Sequence, residues 1–273
     1  MRSRWIVGLA MLLSVPLMGH DMFLVLQNHE VAANSEVTVE LYNGTFDKSE
    51  NSIDRDRMTD VSVVDGTGET RHPHSSQWRE SDSITYLDFT TGDPGTYVVG
   101  VSTGSRMIEL SAEDFNEYLE HDGVLDVLAA REKEGVLDQP SRERYSKHVK
   151  TILQVGEDAT DSHLQLLAYP IEIVPQTNPA ELQAGDTLRV LVVEEGQPVA
   201  GQRVYASYEG FHQHSDDGGH QEAVKTRTDS RGVAEIDISR SGRWYVRLIR
   251  MVPVDEADAD YESNWATLTF QVR

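Results

Sequence analysis

The histidines of this 273-residue, cysteine-free chain are unevenly placed, and their spacing bears on chemistry. In the run FHQHSDDGGH, His212 and His214 stand two apart, which on a strand turns both imidazoles to one face. The Gly-containing turn after them can bring His220 back beside the pair. With Asp216 and Asp217 nearby, three imidazoles suit a borderline divalent ion: nickel, cobalt, copper or zinc. A solvated polar loop is the other reading of the same residues. His20 is the fourth candidate. It follows MRSR, the apolar run WIVGLAMLLSV and then PLMG, which is the order of a secretory leader: charged end, apolar core, cleavage site. Cleavage after Gly19 would free an α-amine of pKa about 7.7–8 beside an imidazole of pKa about 6.5, so one residue could chelate a metal twice. Otherwise His20 is simply the first residue of a strand, HDMFLVL.

Other clusters rank lower. His72 and His74 lie in the loop RHPHSS, where Pro73 favours an extended backbone at His72. His29, His121, His148 and His163 occur singly, as structural or solvated side chains do. The acidic run DEADADYE, from Asp255, could attract calcium, but it lacks the glycine and spacing of an EF-hand. A solvated acidic loop is expected there. The sequence contains no GxSxG elbow, P-loop or HExxH, and no cysteine nucleophile.

These residues must be positioned by β-structure. Between Phe23 and Val101 short alternating runs, EVTVELY, VSVVDG, SITYLDF and GTYVVGV, are broken by Gly, Asn and Asp, the pattern of an antiparallel sandwich. Ser111 with an acid three residues on predicts a helix start, and GVLDVLAAREKE and SRERYSKHVKTIL carry apolar residues at helical spacing. Strands then resume with LLAYPIEIV, DTLRVLVV, QRVYASY, GVAEIDI, RWYVRLIRM and ATLTFQV. The stretches 30–44 and 181–196 share the order Glu, apolar, any, Ala, small, polar, then alternating aliphatics, a weak internal repeat. The expected fold is therefore mainly β: two Ig-like or transthyretin-like β-sandwich domains with a short helical insertion between them. The expected limits are a leader at 1–19, a first sandwich at 20–106, the helical insertion at 107–163 and a second sandwich at 164–273.

A net charge of −22 makes nucleic acid a poor partner, keeps a protein soluble and draws cations inward. Salt adaptation accounts for the bulk acidity equally well. The leader's apolar run is about half of the roughly 20 residues that a spanning helix needs, so no permanent membrane anchor is expected. Without cysteine, packing alone must hold an exported chain together.

HDMFLVL after the leader, RERYSKHVKTILQVG, YPIEIVPQTNPAELQAGDTLRVLVVEEGQPVAGQRVYA and the terminal ESNWATLTFQV together resemble a secreted bacterial domain-of-unknown-function family associated with periplasmic nickel or cobalt uptake. The likeness covers nearly the whole mature chain. It implies a periplasmic, non-enzymatic two-domain β-protein that captures a divalent transition-metal ion, nickel or cobalt before copper or zinc, and passes it to a metal-uptake transporter of the envelope, with the N-terminal His a ligand. His20, His212, His214 and His220 are the expected metal residues. A cell-envelope β-sandwich interaction module without metal function is the alternative, and a histidine-brace copper oxidase a third reading.

Overall fold

A computed structural model describes residues 20–211 and 222–273. The first half contributes β1 (Asp21–Leu26), β2 (Glu30–Val31), β3 (Glu36–Gly44), β4 (Met58–Val64), β5 (Thr70–Arg71), β6 (Trp78–Ser81), β7 (Ile84–Thr90), β8 (Gly95–Thr103) and β9 (Arg106–Leu110). Two helices follow, α1 (Ala112–His121) and α2 (Leu125–Glu134), and then the long strand β10 (Ser141–Val155). The remainder is β11 (Ile171–Pro175), β12 (Thr187–Glu194), β13 (Gln197–Pro198), β14 (Arg203–Tyr208), β15 (Val224–Arg227), β16 (Val233–Asp237), β17 (Gly242–Pro253) and β18 (Tyr261–Val272). The fold is mainly β and sandwich-like, with the short helical insertion where Ser111 places it.

One large sheet runs β15-β14-β17-β18-β10-β8-β4-β5, with β2 and β9 also paired to β10. A small sheet, β1-β3-β7-β6, covers its first half, and another, β11-β12-β13 with β16 on β12, covers its second half. Each small sheet closes a core. Met22, Leu24, Val39, Leu41 and Leu87 pack on Val61, Val99 and Leu153 in the first; Ile171, Val190 and Ile236 pack on Trp244, Leu268 and Phe270 in the second. Because side chains alternate along a strand, β1 also sends Phe23 and Val25 the other way, onto Tyr245 of β17.

The internal repeat has a structural counterpart. Asn34 and Gly185 occupy the same place in their repeats, both have positive φ (58° and 102°), and each turns the chain into the strand at the heart of a small sheet, β3 and β12 respectively. Only glycine adopts that region freely, with Asn the commonest substitute.

The run SRERYSKHVKTIL corrects the helical expectation, since it is most of β10. Tyr145, Val149, Ile152 and Leu153 do fall at helical spacing, but every residue from Lys147 to Val155 is buried, and a strand buried on both faces loses the alternation that would reveal it. β10 pairs in parallel with β18 over Glu143 to Thr151, and antiparallel with β9 and then β8 on its other edge. The sheet is thus continuous across the limits expected at 107–163. Its charged residues are admitted inside because they are paired: Lys150 Nζ lies 2.8 Å from Glu172 Oε2, both buried.

The helices lie over the lower half of β10. Ser111 caps α1 by accepting the Asp114 N–H at 3.2 Å, and Gly135 ends α2 in the left-handed region. Phe115 and Leu119 bury their side chains beside Trp265, Ile249 and Met251.

Candidate functional site

Under α1 a partly open cavity of about 300 Å³ is lined by residues from both halves of the chain. Its floor is one face of β10, where Glu143, Tyr145 and Lys147 recur at every second residue. Trp265 stands opposite Lys147 in the parallel register with β18, and α1 adds Tyr118. Ile108 and Leu110 of β9 make an apolar wall, while His20, Asn43, Asn51 and Arg57 border it on the side of the first sandwich.

The interior is tied together by buried polar groups. Tyr118 Oη donates to Glu143 Oε1 at 3.1 Å, the Ser263 hydroxyl donates to the same oxygen, and Trp265 Nε1 donates to Ser263 Oγ at 3.1 Å. The Tyr118 and Trp265 rings stack with 4° between their planes. Lys147 Nζ donates to the His20 carbonyl and to Asn43 Oδ1 (3.3 Å) and sits 5.1 Å from the Trp265 ring centre. Burial disfavours its charge and brings its pKa down to about 8, although Asp21, Asp122 and Glu143 oppose the shift. Burial likewise raises the Glu143 pKa against the hydrogen bonds of Ser263 and Tyr118. Arg57 lies over Tyr145, 5.5 Å from its ring centre, with Nε and Nη2 buried and without a hydrogen-bond partner.

A second charged group adjoins this one through β1. Arg247 Nε donates to Glu222 Oε1 at 2.6 Å and is 3.5 Å from Asp21 Oδ2, and Nη1 donates to the Asp122 carbonyl. Burial raises the Asp21 pKa to about 6, and Arg247 pulls it the other way.

Of the expected ligands, His20 borders the cavity, with Nε2 2.9 Å from Glu50 Oε2. His212, His214 and His220 lie outside the described residues. His72 Nδ1 is 3.1 Å from Asp60 Oδ1, whereas His74 caps a short 3-10 turn by accepting the Ser76 N–H. His29 and His148 are buried and hydrogen-bonded to the Ile152 carbonyl and to Ser102 and Asn264. The acidic run is ion-paired: Asp260 binds Arg142 at 3.0 Å and Glu256 binds Arg144 at 2.6 Å. Reasoning from the sequence missed Glu143, Lys147, Arg57, Tyr118 and Trp265. The alternation in ERYSK was a signal for the first two, but it competed with a helical period.

The sequence profile of a family described as a domain of unknown function, DUF4198, matches residues 17–251. The chain belongs to the DUF4198 family. No curated protein matches this DUF4198 chain. Among solved structures it is similar to the D0-D1 domain of intimin, at 12% identity over 92% of this chain and 97% of that one, with a TM-score of 0.21. It is also similar to the Yersinia pseudotuberculosis adhesin InvE (12%, 92% and 58%, TM-score 0.22) and to trypsin-activated α2-macroglobulin from Escherichia coli (10%, 93% and 16%, TM-score 0.26). Likeness at these scores carries no argument about activity.

These findings correct the expected nickel or cobalt uptake role. The DUF4198 description assigns no metal, and among the described residues no group of three or more His, Cys, Asp or Glu could hold a metal ion. The metal-uptake transporter expected as partner is withdrawn with it. At His20 the imidazole lies against the Glu50 carboxylate, while the Lys147 ammonium is bonded to its carbonyl and Arg57 shares the cavity wall. Among the described residues no helix is long and apolar enough to cross a membrane.

Proposed function

We propose that this chain is a non-catalytic interaction module of the cell envelope or the extracellular space. The observation that carries this reading is β10, which serves both sandwiches at once and makes them one hydrogen-bonded sheet. A shared strand holds the loops of the two halves at fixed spacing, as a presentation scaffold requires. The leader-like MRSR and WIVGLAMLLSV support export, and the −22 charge supports a partner that presents complementary basic groups.

The test is photo-crosslinking in cells. A crosslinking residue replaces the exposed Leu164 or Leu166 beside the first sandwich, or the exposed Leu137 beyond α2. A defined adduct with an envelope component from one of these faces, weakened by raised salt, is the expected result. Protein retained in the cytoplasm, or fully exported protein giving no adduct from any face, would overturn the reading.

A further inference from the structure

We infer that the cavity beneath α1 is a binding site for a carboxylate carried on an aromatic or aliphatic body. This goes beyond the interaction-module reading and stands independently of it, because it concerns a small ligand inside the sheet rather than a partner on its surface.

Three features support it. The first is cationic surplus in an acidic protein. Two cations line one cavity, and the Arg57 guanidinium has two N–H groups buried without any acceptor. A buried donor without a partner costs on the order of 1–3 kcal/mol, and a carboxylate entering the cavity is the acceptor that matches the guanidinium fork once a side-chain rotation turns Nε and Nη2 towards it. Lys147, only 5% exposed, has spent two of its three donors on His20 and Asn43 and keeps one.

The second is that the acid in the cavity is already committed. Glu143 Oε1 accepts from Tyr118 and Ser263 on the far wall, and among the ion pairs formed by the described residues none joins Glu143 to Arg57 or Lys147. Neither cation is therefore ion-paired to Glu143, although Asp21, Asp122 and Glu143 act on Lys147 from a distance. Burial and then the neighbouring Arg106 disfavour the Arg57 charge, and a bound anion would relieve that repulsion.

The third is shape. Tyr145, Trp265, Ile108 and Leu110 give the rest of the cavity an apolar lining, and about 300 Å³ falls at the lower end of the range for small-ligand sites. An inorganic anion would leave that lining unused. The exposed Asn51 marks where the cavity meets solvent.

Isothermal titration of the full processed chain with 4-phenylbutyrate, and with the uncharged 4-phenylbutan-1-ol, tests the inference. Parallel titrations with a short peptide ending in Phe, as free acid and as amide, separate the two sources of such a carboxylate. The acid is expected to bind at least tenfold more tightly than the alcohol, and R57M should lower acid affinity at least tenfold while R57K retains part of it. Arg57 Nε and Nη2 make no hydrogen bond and Arg57 forms no ion pair among the described residues, so R57M is expected to fold as the parent does, which its circular dichroism and melting temperature will check. As a second variant, I108W narrows the cavity without touching the cations and should also abolish binding. A response from the free-acid peptide but not its amide assigns a chain terminus as the ligand, and a response from phenylbutyrate alone assigns a free acid. No binding of either acid at millimolar concentration, equal affinity for acid and alcohol, or unchanged affinity in R57M would overturn the site.

Discussion

His29 is buried, its Nδ1 lies 2.7 Å from the Ile152 carbonyl, and burial brings its pKa down from 6.5 to about 4. The folded state therefore holds it neutral while the unfolded chain takes up a proton below pH 6.5. Its contribution is complete above pH 6.5 and is lost as pH falls towards 4, by roughly 3 kcal/mol across that window. Urea denaturation at several pH values should show the parent losing about that much more stability than H29Q. Asp21 acts in the opposite direction: burial lifts its pKa to about 6, so it favours the folded state below pH 3.8 and that contribution is lost as pH rises through 6. The net acid sensitivity of the parent should thus be smaller than that of D21N. Lys150 and Glu172 make a different case, since both are buried and Glu172 also accepts the Leu167 and Tyr169 N–H groups. K150M should cost about 3–5 kcal/mol by leaving a carboxylate unpaired in the core. The double variant K150M/E172L should be less destabilised than K150M alone, as read from denaturant midpoints.

At the scale of single elements, α1 forms the roof of the cavity and depends on its first turn. The Ser111 hydroxyl accepts the Asp114 N–H, and acids at 113 and 114 sit at the positive end of the helix dipole. S111A should lower stability by about 1 kcal/mol, measurable in thermal unfolding. It should also weaken any ligand held beneath α1, because Tyr118 sits on that helix. The Ser111 start was readable in the sequence, since capping is a local interaction between neighbouring residues. β10 was not readable as a strand. Its two edges are satisfied by β18 and β8, which lie far along the chain, and its buried Lys150 is neutralised by Glu172, a partner that no local window contains.

For the whole molecule, the shared strand predicts cooperative behaviour. Trp78 belongs to the first sandwich and Trp244 to the second core, and a sheet common to both should make them report one unfolding transition. Single-tryptophan variants followed by fluorescence in urea should give coincident midpoints. Two separated transitions would show that β10 does not couple the halves. The net charge of −22 adds a second expectation: self-repulsion should be screened by salt, so the melting temperature should rise between low ionic strength and about 0.5 M sodium chloride.

The sequence alone determined the β class, the helical insertion after Ser111, the doubled strand-entry turn at Asn34 and Gly185, and His20 as a residue to watch, because alternation, caps and turns are written within a few neighbouring residues. Only the tertiary structure decided that the two sandwiches share β10. It alone brought Lys147, Glu143 and Trp265 under one helix with Arg57 of the first sandwich, and buried Arg57 Nε and Nη2 without an acceptor. Those facts depend on parallel register between Ser141–Val155 and Tyr261–Val272, a pairing of residues about 118 positions apart. Nothing in a strand's own residues specifies which distant strand will lie beside it; burial on both faces and the pairing of buried charges settle that together.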